Sequence, residues 1–314
     1  MRPLHAGAPG PFLAAWTLEP LATLGLAAAA IGYAACLRAA RARGRPPAAR
    51  AHVAAFYAGI AAAAVALLGP LDAFNDDSLA VHMLQHLALT QVAAPLIVLG
   101  RPLHAAVRGL PPAVVAATLR ATVGRRSIRT ALDVLSHPLA VFGLSAGALA
   151  AWHWPPAYAA ALTDARLHVA EHATFLGTAL WFWWVIVDPI PRRHRASPHA
   201  AIAVCFATAA VGDILGALLA LSRDVVYAPY RAARPPWGLD PLADQHLAGW
   251  IMWLGGALYF AAMVAIAARA AAGTAEGGSV AVRGGAGGRA DPPPRAGERV
   301  APARGSGQPP AVSG

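Results

Sequence analysis

The stretch Leu79–Gly100, which reads LAVHMLQHLALTQVAAPLIVLG, decides the fold class. It runs for 22 residues without an Asp, Glu, Lys or Arg. At about 1.5 Å per residue, a helix of this length crosses about 30 Å of hydrocarbon. The stretch therefore predicts a transmembrane helix that carries two histidines, His82 and His86, near its start.

Apolar runs of similar length recur on both sides of this stretch. Of the 314 residues, 57% are hydrophobic and 13% are charged, about half the charged fraction of a soluble domain. The predicted spans are Leu18–Leu37, His52–Pro70, Leu79–Gly100, Leu135–Trp154, Leu167–Val187, Ala200–Leu221 and Gln245–Ala268. The sequence thus predicts an all-α polytopic membrane protein, a bundle of seven transmembrane helices.

The arginines predict how this bundle is oriented. The net charge is +10, and all 25 basic residues are Arg. Twenty of them fall in loops and tail on one side of the alternating spans, and five fall on the other. The positive-inside rule places the rich side in the cytoplasm, which leaves the N-terminus outside and the C-terminus inside. Because the charge is an orientation signal here, no nucleic-acid partner is expected.

Three segments are predicted along the chain. Residues 1–17 form an extracytoplasmic segment, 18–270 the membrane domain, and 271–314 a cytoplasmic tail. The tail has no Leu, Ile or aromatic residue and is rich in Gly, Pro, Ala and Arg, so it is predicted to be disordered. The two cysteines form no CxxC motif, and we interpret them as small apolar residues.

Ionisable side chains concentrate near the predicted outer ends of five spans. His82 and His86 are four residues apart, as are His168 and His172, so each pair lies on one helix face. Imidazoles at that spacing can hold one metal ion, with carboxylates orienting the rings. The candidate metal ligands are His82, His86, His153, His168, His172 and His246. The candidate orienting carboxylates are Glu171, Asp213 and Asp244.

Other readings of these residues are weaker. A retinal protein needs a Lys for its Schiff base, and the chain has none. Residues 168–172 fit the H-x-x-E-H pattern of some zinc proteases, but no catalytic domain frames the motif. A transporter needs polar groups near the midplane, and the sequence offers a thin set: Thr90, Gln91, Ser145, Thr174, Thr178 and Thr208.

Several ordered blocks resemble the caa3-type cytochrome c oxidase assembly factor family, often called CtaG. The blocks are Phe56-Tyr57-Ala58-Gly59, Gly69-Pro70-Leu71-Asp72, His82-Met83-Leu84-Gln85-His86, Trp152-His153-Trp154-Pro155 with Tyr158, Leu167-His168 through Glu171-His172, and Tyr227, Tyr230, Trp237-Gly238-Leu239 and Asp244-Gln245. The resemblance covers about residues 50–270. It implies a seven-helix fold and a role in maturation of a copper-containing oxidase. At the position of His246 the family pattern more often has Gln.

The resemblance and the histidines together lead to one expected function. The chain is expected to be a non-enzymatic assembly factor in the bacterial plasma membrane, with the lipid bilayer and cytochrome c oxidase subunits as its partners. It is expected to bind or deliver copper through histidines in the outer leaflet. The alternatives are a haem-binding membrane redox protein and a metal-free assembly scaffold.

Overall fold

The computed structural model describes residues 11–187 and 196–285, and within those ranges the chain is helical, without a β-strand. The predicted all-α class is therefore confirmed. The first helices are α1 (Pro20–Ala42), α2 (Arg50–Leu68), α3 (Pro70–Ala73), α4 (Leu79–Leu87), α5 (Ala94–Leu99), α6 (Pro102–Gly109), α7 (Pro112–Ala121) and α8 (Arg126–Leu135). The remaining ones are α9 (Pro138–His153), α10 (Pro155–Ala161), α11 (Ala165–Val187), α12 (Pro198–Ala220) and α13 (Pro241–Gly285).

Several of these helices are long and apolar enough to cross a membrane. Five segments in the described ranges meet that condition: Pro20–Ala42, Arg50–Ala73, Leu79–Gly109, Pro198–Ala220 and Pro241–Ala272. Helices α8 and α9 meet it only as a pair, bent by 69°. The bend lies at His137, whose ψ of 137° is extended, because the helical conformation is disfavoured for a residue before proline. The described residues therefore contain five or six such segments, and a count of seven stays a prediction.

A wide π turn interrupts the span that contains the first histidine pair. In residues Ala88–Ala93 the backbone hydrogen bonds reach five residues back instead of four, so that Ala94 N donates to Leu89 O. The next residue in that pattern, Pro95, has no N–H to donate. The carbonyl of Thr90 is therefore left without a helical partner. The indole Nε1 of Trp183 donates to that carbonyl at 2.9 Å. This hydrogen bond ties the π turn to α11.

Glycines let α12 and α13 approach each other closely. A Cβ on Gly216 would lie 2.8 Å from Gly249 O, and a Cβ on Gly249 would meet the backbone of Gly216 and Ala220. Only glycine allows such backbone contact between helices. The contact sets the position of α13 against the rest of the bundle near its first turns.

Two buried clusters frame the region where the histidines lie. One, around Tyr158, Tyr227 and Tyr230, joins α4, α10 and the loop after α12. The other, around Phe182 and Trp183, joins α5, α9, α11 and α12. Large apolar side chains point away from the bundle, as on a lipid-facing surface. Examples are Leu21, Leu24 and Ile31 on α1, Phe206, Ile214 and Leu218 on α12, and Phe260 and Val264 on α13.

The predicted segments at the two ends of the chain are described only in part. Of residues 1–17, the structure describes residue 11 onward, with a 3₁₀ turn at Phe12–Ala14. A separate unit begins at Ala271 and is helical to Gly285, inside the segment whose composition predicts disorder. Residues 286–314, and with them most of the tail arginines, lie outside the described residues.

Candidate metal centre

The first histidine pair is positioned by a strongly capped helix start. Ser78 Oγ accepts from Val81 N at 3.2 Å and donates to Asp244 Oδ1 at 2.6 Å. The other carboxylate oxygen of Asp244 accepts from Leu79 N at 2.7 Å and Ala80 N at 3.4 Å. A carboxylate at a helix N-terminus satisfies free N–H groups and complements the helix dipole. Asp244 therefore fixes α4, and its hydrogen bonds go to this helix start rather than to an imidazole.

The two i, i+4 pairs face each other across the bundle. His82 and His86 on α4 meet His168 and His172 on α11, with ring centroids 5.6 Å apart for His86 and His172. Glu171 lies between the pairs, with Oε2 3.9 Å from His82 Nε2 and Oε1 3.6 Å from His86 Nε2. All five side chains are buried. We call His82, His86, His168, His172 and Glu171 the histidine cluster.

The spacing of the donor atoms suits a metal ion. One donor atom each from His82, His168 and His172 lies within 4.8 Å of the others, and the same holds for His82, His86 and Glu171. Two ligands of one ion with bonds of about 2.1 Å lie at most about 4.2 Å apart. A side-chain shift of less than an ångström would therefore bring three donors onto one ion.

Several polar atoms of the cluster have no hydrogen bond within the described ranges. They are Nε2 of His82, both ring nitrogens of His86, and both carboxylate oxygens of Glu171. Burying a carboxylate without a partner costs several kcal/mol, which a bound cation or a proton offsets. The donor set thus fits a cation that imidazole and carboxylate can share.

A network of tyrosines determines which nitrogen of His82 faces the cluster. His82 Nδ1 lies 3.0 Å from the hydroxyl oxygen of Tyr230 and 2.8 Å from that of Tyr158. Tyr230 donates its one proton to Asn75 O at 2.6 Å. Burial raises the pKa of Tyr230 well above its usual value, so this proton is retained. The arrangement is satisfied when Nδ1 of His82 carries the proton, which leaves the Nε2 lone pair for a ligand.

A second polar network holds the other side of the cluster. Asn75 Nδ2 donates to Gln85 Oε1 at 3.1 Å and lies 3.4 Å from His168 Nε2. Gln85 Nε2 donates to Asp72 Oδ1 at 3.1 Å and to Ala66 O at 2.8 Å. The network links α2, α3 and α4 to His168 of α11.

His153 lies beside the cluster rather than inside it. Its Nδ1 donates to Leu149 O at 2.8 Å, and its carbonyl accepts from Tyr227 at 3.1 Å. Its ring centroid is 6.5 Å from that of Tyr158, and it belongs to neither group of close donor atoms in the described ranges. Its Nε2 is buried and has no hydrogen bond among the described residues.

The other two predicted residues lie apart from the cluster. His246 Nε2 donates to Ser222 O at 2.9 Å, in the loop that follows α12. Asp213 lies where α12 meets α13, with its carboxylate against Gly256 and its carbonyl accepting from Trp253 Nε1 at 2.9 Å. Both were predicted as site residues because of their depth along their helices. Their side chains point away from the cluster.

Tyr158, Tyr230 and Asn75 contact the histidines, and Gln85 holds Asn75, but none of the four was among the predicted site residues. The predicted site residues were chosen because they are ionisable, and these four side chains are neutral. Tyr158, Tyr230 and Gln85 do stand in the blocks that carry the family resemblance, which was the signal available for them.

The apolar helices and the buried histidine cluster define a polytopic helical membrane protein with a candidate metal centre between two helices. The chain belongs to the cytochrome c oxidase caa3 assembly factor family (Caa3_CtaG), whose sequence model matches residues 31–272. The family resemblance found in the sequence is thereby confirmed.

Similar proteins occur in mycobacteria. The chain is 31% identical over 253 residues to uncharacterized proteins of Mycobacterium bovis and Mycobacterium tuberculosis, and 28% identical to one of Mycobacterium leprae. Each match covers 77% of this chain and 37% of the relative, so the chain spans well under half the length of the curated relatives it matches. No solved structure matches it.

Proposed function

We propose that the chain is a non-enzymatic assembly factor of cytochrome c oxidase that binds copper through the histidine cluster. One observation carries the proposal: four imidazoles and a carboxylate converge in a buried site where the Glu171 oxygens have no hydrogen bond among the described residues. The family supplies the oxidase as the partner. Copper is the metal that such an oxidase needs, and imidazole is a ligand that copper accepts.

The membrane topology is part of the proposal. Helix α11 is 23 residues long, or about 34 Å at about 1.5 Å per residue, although its histidines and Glu171 lower its hydropathy. It packs between α5 and α9. With α11 and α9 counted, the bundle has seven spans, and the arginine distribution places the N-terminus outside the bacterial plasma membrane and the C-terminus in the cytoplasm. The histidine cluster then lies in the outer leaflet.

The residues of the cluster have distinct roles in this function. The imidazoles of α4 and α11 hold the copper cargo, and Glu171 offsets its charge in a medium of low dielectric. Tyr158 and Tyr230 orient His82 so that Nε2 faces the cargo. Neutral imidazole ligands can be replaced one at a time by other ligands. An oxidase subunit with its own copper ligands can therefore take the ion over.

A complementation experiment tests this function. A strain that lacks the gene receives the wild-type chain, the double variant His82→Ala/His86→Ala, or His246→Ala as a matched control outside the cluster. We expect the wild type and the control to restore oxidase activity and the double variant to fail at equal membrane abundance. Full activity with the double variant would instead favour a metal-free scaffold, and a Soret band in the purified wild type would favour haem binding.

A further inference from the structure

A cavity follows the histidine cluster along α4 and the π turn toward the middle of the bundle. We call it the inner cavity. Its volume is about 100 Å³. On the same basis one water molecule needs about 10–15 Å³. Its wall combines α4 and the π turn with α9, α11, α12 and α13. Polar residues that are scattered along the sequence meet on this wall: Thr90, Gln91, Ser145, Thr178 and Thr208.

Several polar atoms on the wall have no hydrogen bond within the described ranges. They are Gln91 Oε1, Ser145 Oγ, Thr208 Oγ1 and His153 Nε2. Thr208 is 4% exposed, so neither bulk water nor lipid headgroups satisfy its hydroxyl. A cavity with this volume and these groups fits several water molecules, each with polar partners.

Away from the inner cavity, tyrosines cover part of the histidine cluster. His82 and Glu171 have no exposed surface, and Tyr158 and Tyr230 cover His82 through the hydrogen bonds described above. His86 is the residue common to both spaces. Its Nε2 faces Glu171 at 3.6 Å, and its ring also lines the inner cavity.

The inner cavity also contains soft donor atoms. Met83, next to His82, and Met252, on α13, both line it. Thioether sulfur favours Cu(I) over harder cations, and imidazole accepts the same ion. The donors along the wall therefore match a monovalent copper ion better than Mg²⁺ or Ca²⁺, which require oxygen ligands.

We propose that the inner cavity is a hydrated passage through which Cu(I) reaches the histidine cluster, with His86 as the first cluster ligand that it meets. The proposal rests on the proposed function, because it assigns the route to that same site. No electron is transferred in the passage: the ion exchanges water and thioether ligands for imidazole.

The first test measures water in the cavity and needs no metal. In a chain with Cys36→Ser and Cys205→Ala, Thr208→Cys is exposed in native membranes to a small hydrophilic thiol reagent. The matched control is Phe206→Cys, two residues away on the 66% exposed lipid-facing side of α12. We expect Thr208→Cys to react and the control not to, since only a hydrated thiol ionises readily. Failure of Thr208→Cys to react would mean a dry cavity and overturn the passage.

The second test blocks the cavity. A Cβ on Gly212 meets only Leu149 at 3.8 Å, and both residues line the cavity, so Gly212→Leu fills it without a backbone clash. Ser145→Leu is a second blocking variant, in case the first does not fold. Gly177→Leu on α11 is the control, because a Cβ there has open space away from the cavity. Cu(I) supplied with a reductant is the probe, and its uptake is followed over time.

We expect both blocking variants to take up Cu(I) at least about tenfold more slowly than the control, which corresponds to an added barrier of about 1.4 kcal/mol. The final copper content should stay equal, because the ligands are intact. Equal uptake rates in all variants would overturn the passage and leave the copper site standing. If the wild type binds no copper, the proposed function itself fails, whatever the thiol labelling shows.

Discussion

Nε2 of His86 lies 3.6 Å from Oε1 of Glu171, and both side chains are buried between α4 and α11. Neither the carboxylate nor the imidazole has a hydrogen bond in the described parts of the chain. A pair of this kind, in a bundle of apolar helices, is costly to maintain without a cation or a proton between its members. Removal of the Glu171 charge should therefore have opposite effects on the metal-free and on the copper-loaded protein.

The change Glu171→Gln should separate those two states. Without metal, a neutral amide of the same shape removes the cost of an unpartnered carboxylate, and we expect the free energy of unfolding to rise by about 1–3 kcal/mol. With copper, the lost charge should weaken affinity by about 10–100-fold. Thermal unfolding in detergent and competition with a Cu(I) chelator measure the two effects. A variant that is less stable without metal and binds copper as tightly as the wild type would contradict this role.

Acidification should release the metal. Imidazole must be neutral to ligate, and protons compete for its lone pair as the pH falls. Since several imidazoles share the ion, we expect the loss to be steeper than for one titrating ligand. Copper retained in a dialysis series from about pH 7.5 down to about pH 4 reports the change. Retention that does not depend on pH would mean that histidine is not the ligand.

Tyr230→Phe should perturb the site by misorienting His82. The variant loses one of the two hydroxyl partners of His82 Nδ1, with Tyr158 remaining at 2.8 Å, and it loses the donor to Asn75 O. Leaving the buried Asn75 carbonyl unsatisfied should cost about 1–3 kcal/mol of stability, and the weaker support of His82 should lower copper affinity. Tyr227→Phe is the matched control, because that hydroxyl donates to the His153 carbonyl and does not touch His82. Equal copper affinities in the two variants would rule out the orienting role.

Asp244→Asn should weaken the start of α4 while it leaves the copper ligands in place. Asp244 accepts from Ser78 and from two backbone N–H groups, and an amide has only one oxygen to accept with. We expect a loss of about 1–2 kcal/mol in stability with unchanged copper stoichiometry. Asp240→Asn is the control, since its exposed side chain accepts through Oδ1 alone and Asn preserves that cap. Loss of the copper itself in Asp244→Asn would show that Asp244 belongs to the metal site.

Much of the candidate site was accessible from the sequence because helix periodicity is regular. The i, i+4 spacing places His82 with His86 and His168 with His172 on single faces, and the structure brings these faces together. Spacing cannot say which way a residue on another helix points. For that reason the His246 ring bonds to Ser222 O, and the Asp213 carboxylate lies against Gly256, both apart from the cluster.

Tertiary contacts account for what the sequence did not predict. Asp244 acts as a cap for a helix that starts 165 positions earlier, and Gln91, Ser145 and Thr208 from three elements meet on one cavity. Individually, these polar residues looked too sparse for an intramembrane site. The span predicted at Leu135–Trp154 also contains Pro138, and its local effect at His137 bends the chain by 69° there.

The measurement that tests the central claim most directly is the copper content of the detergent-purified protein after loading with Cu(I). Mass spectrometry of the wild type, His82→Ala/His86→Ala and His246→Ala gives the copper per chain in each. We predict about one copper ion per chain in the wild type and in His246→Ala, and a loss of that copper in the double variant, which lacks two of the cluster's imidazoles. Copper at background in the wild type, or copper retained in the double variant, would contradict the histidine cluster as the metal centre.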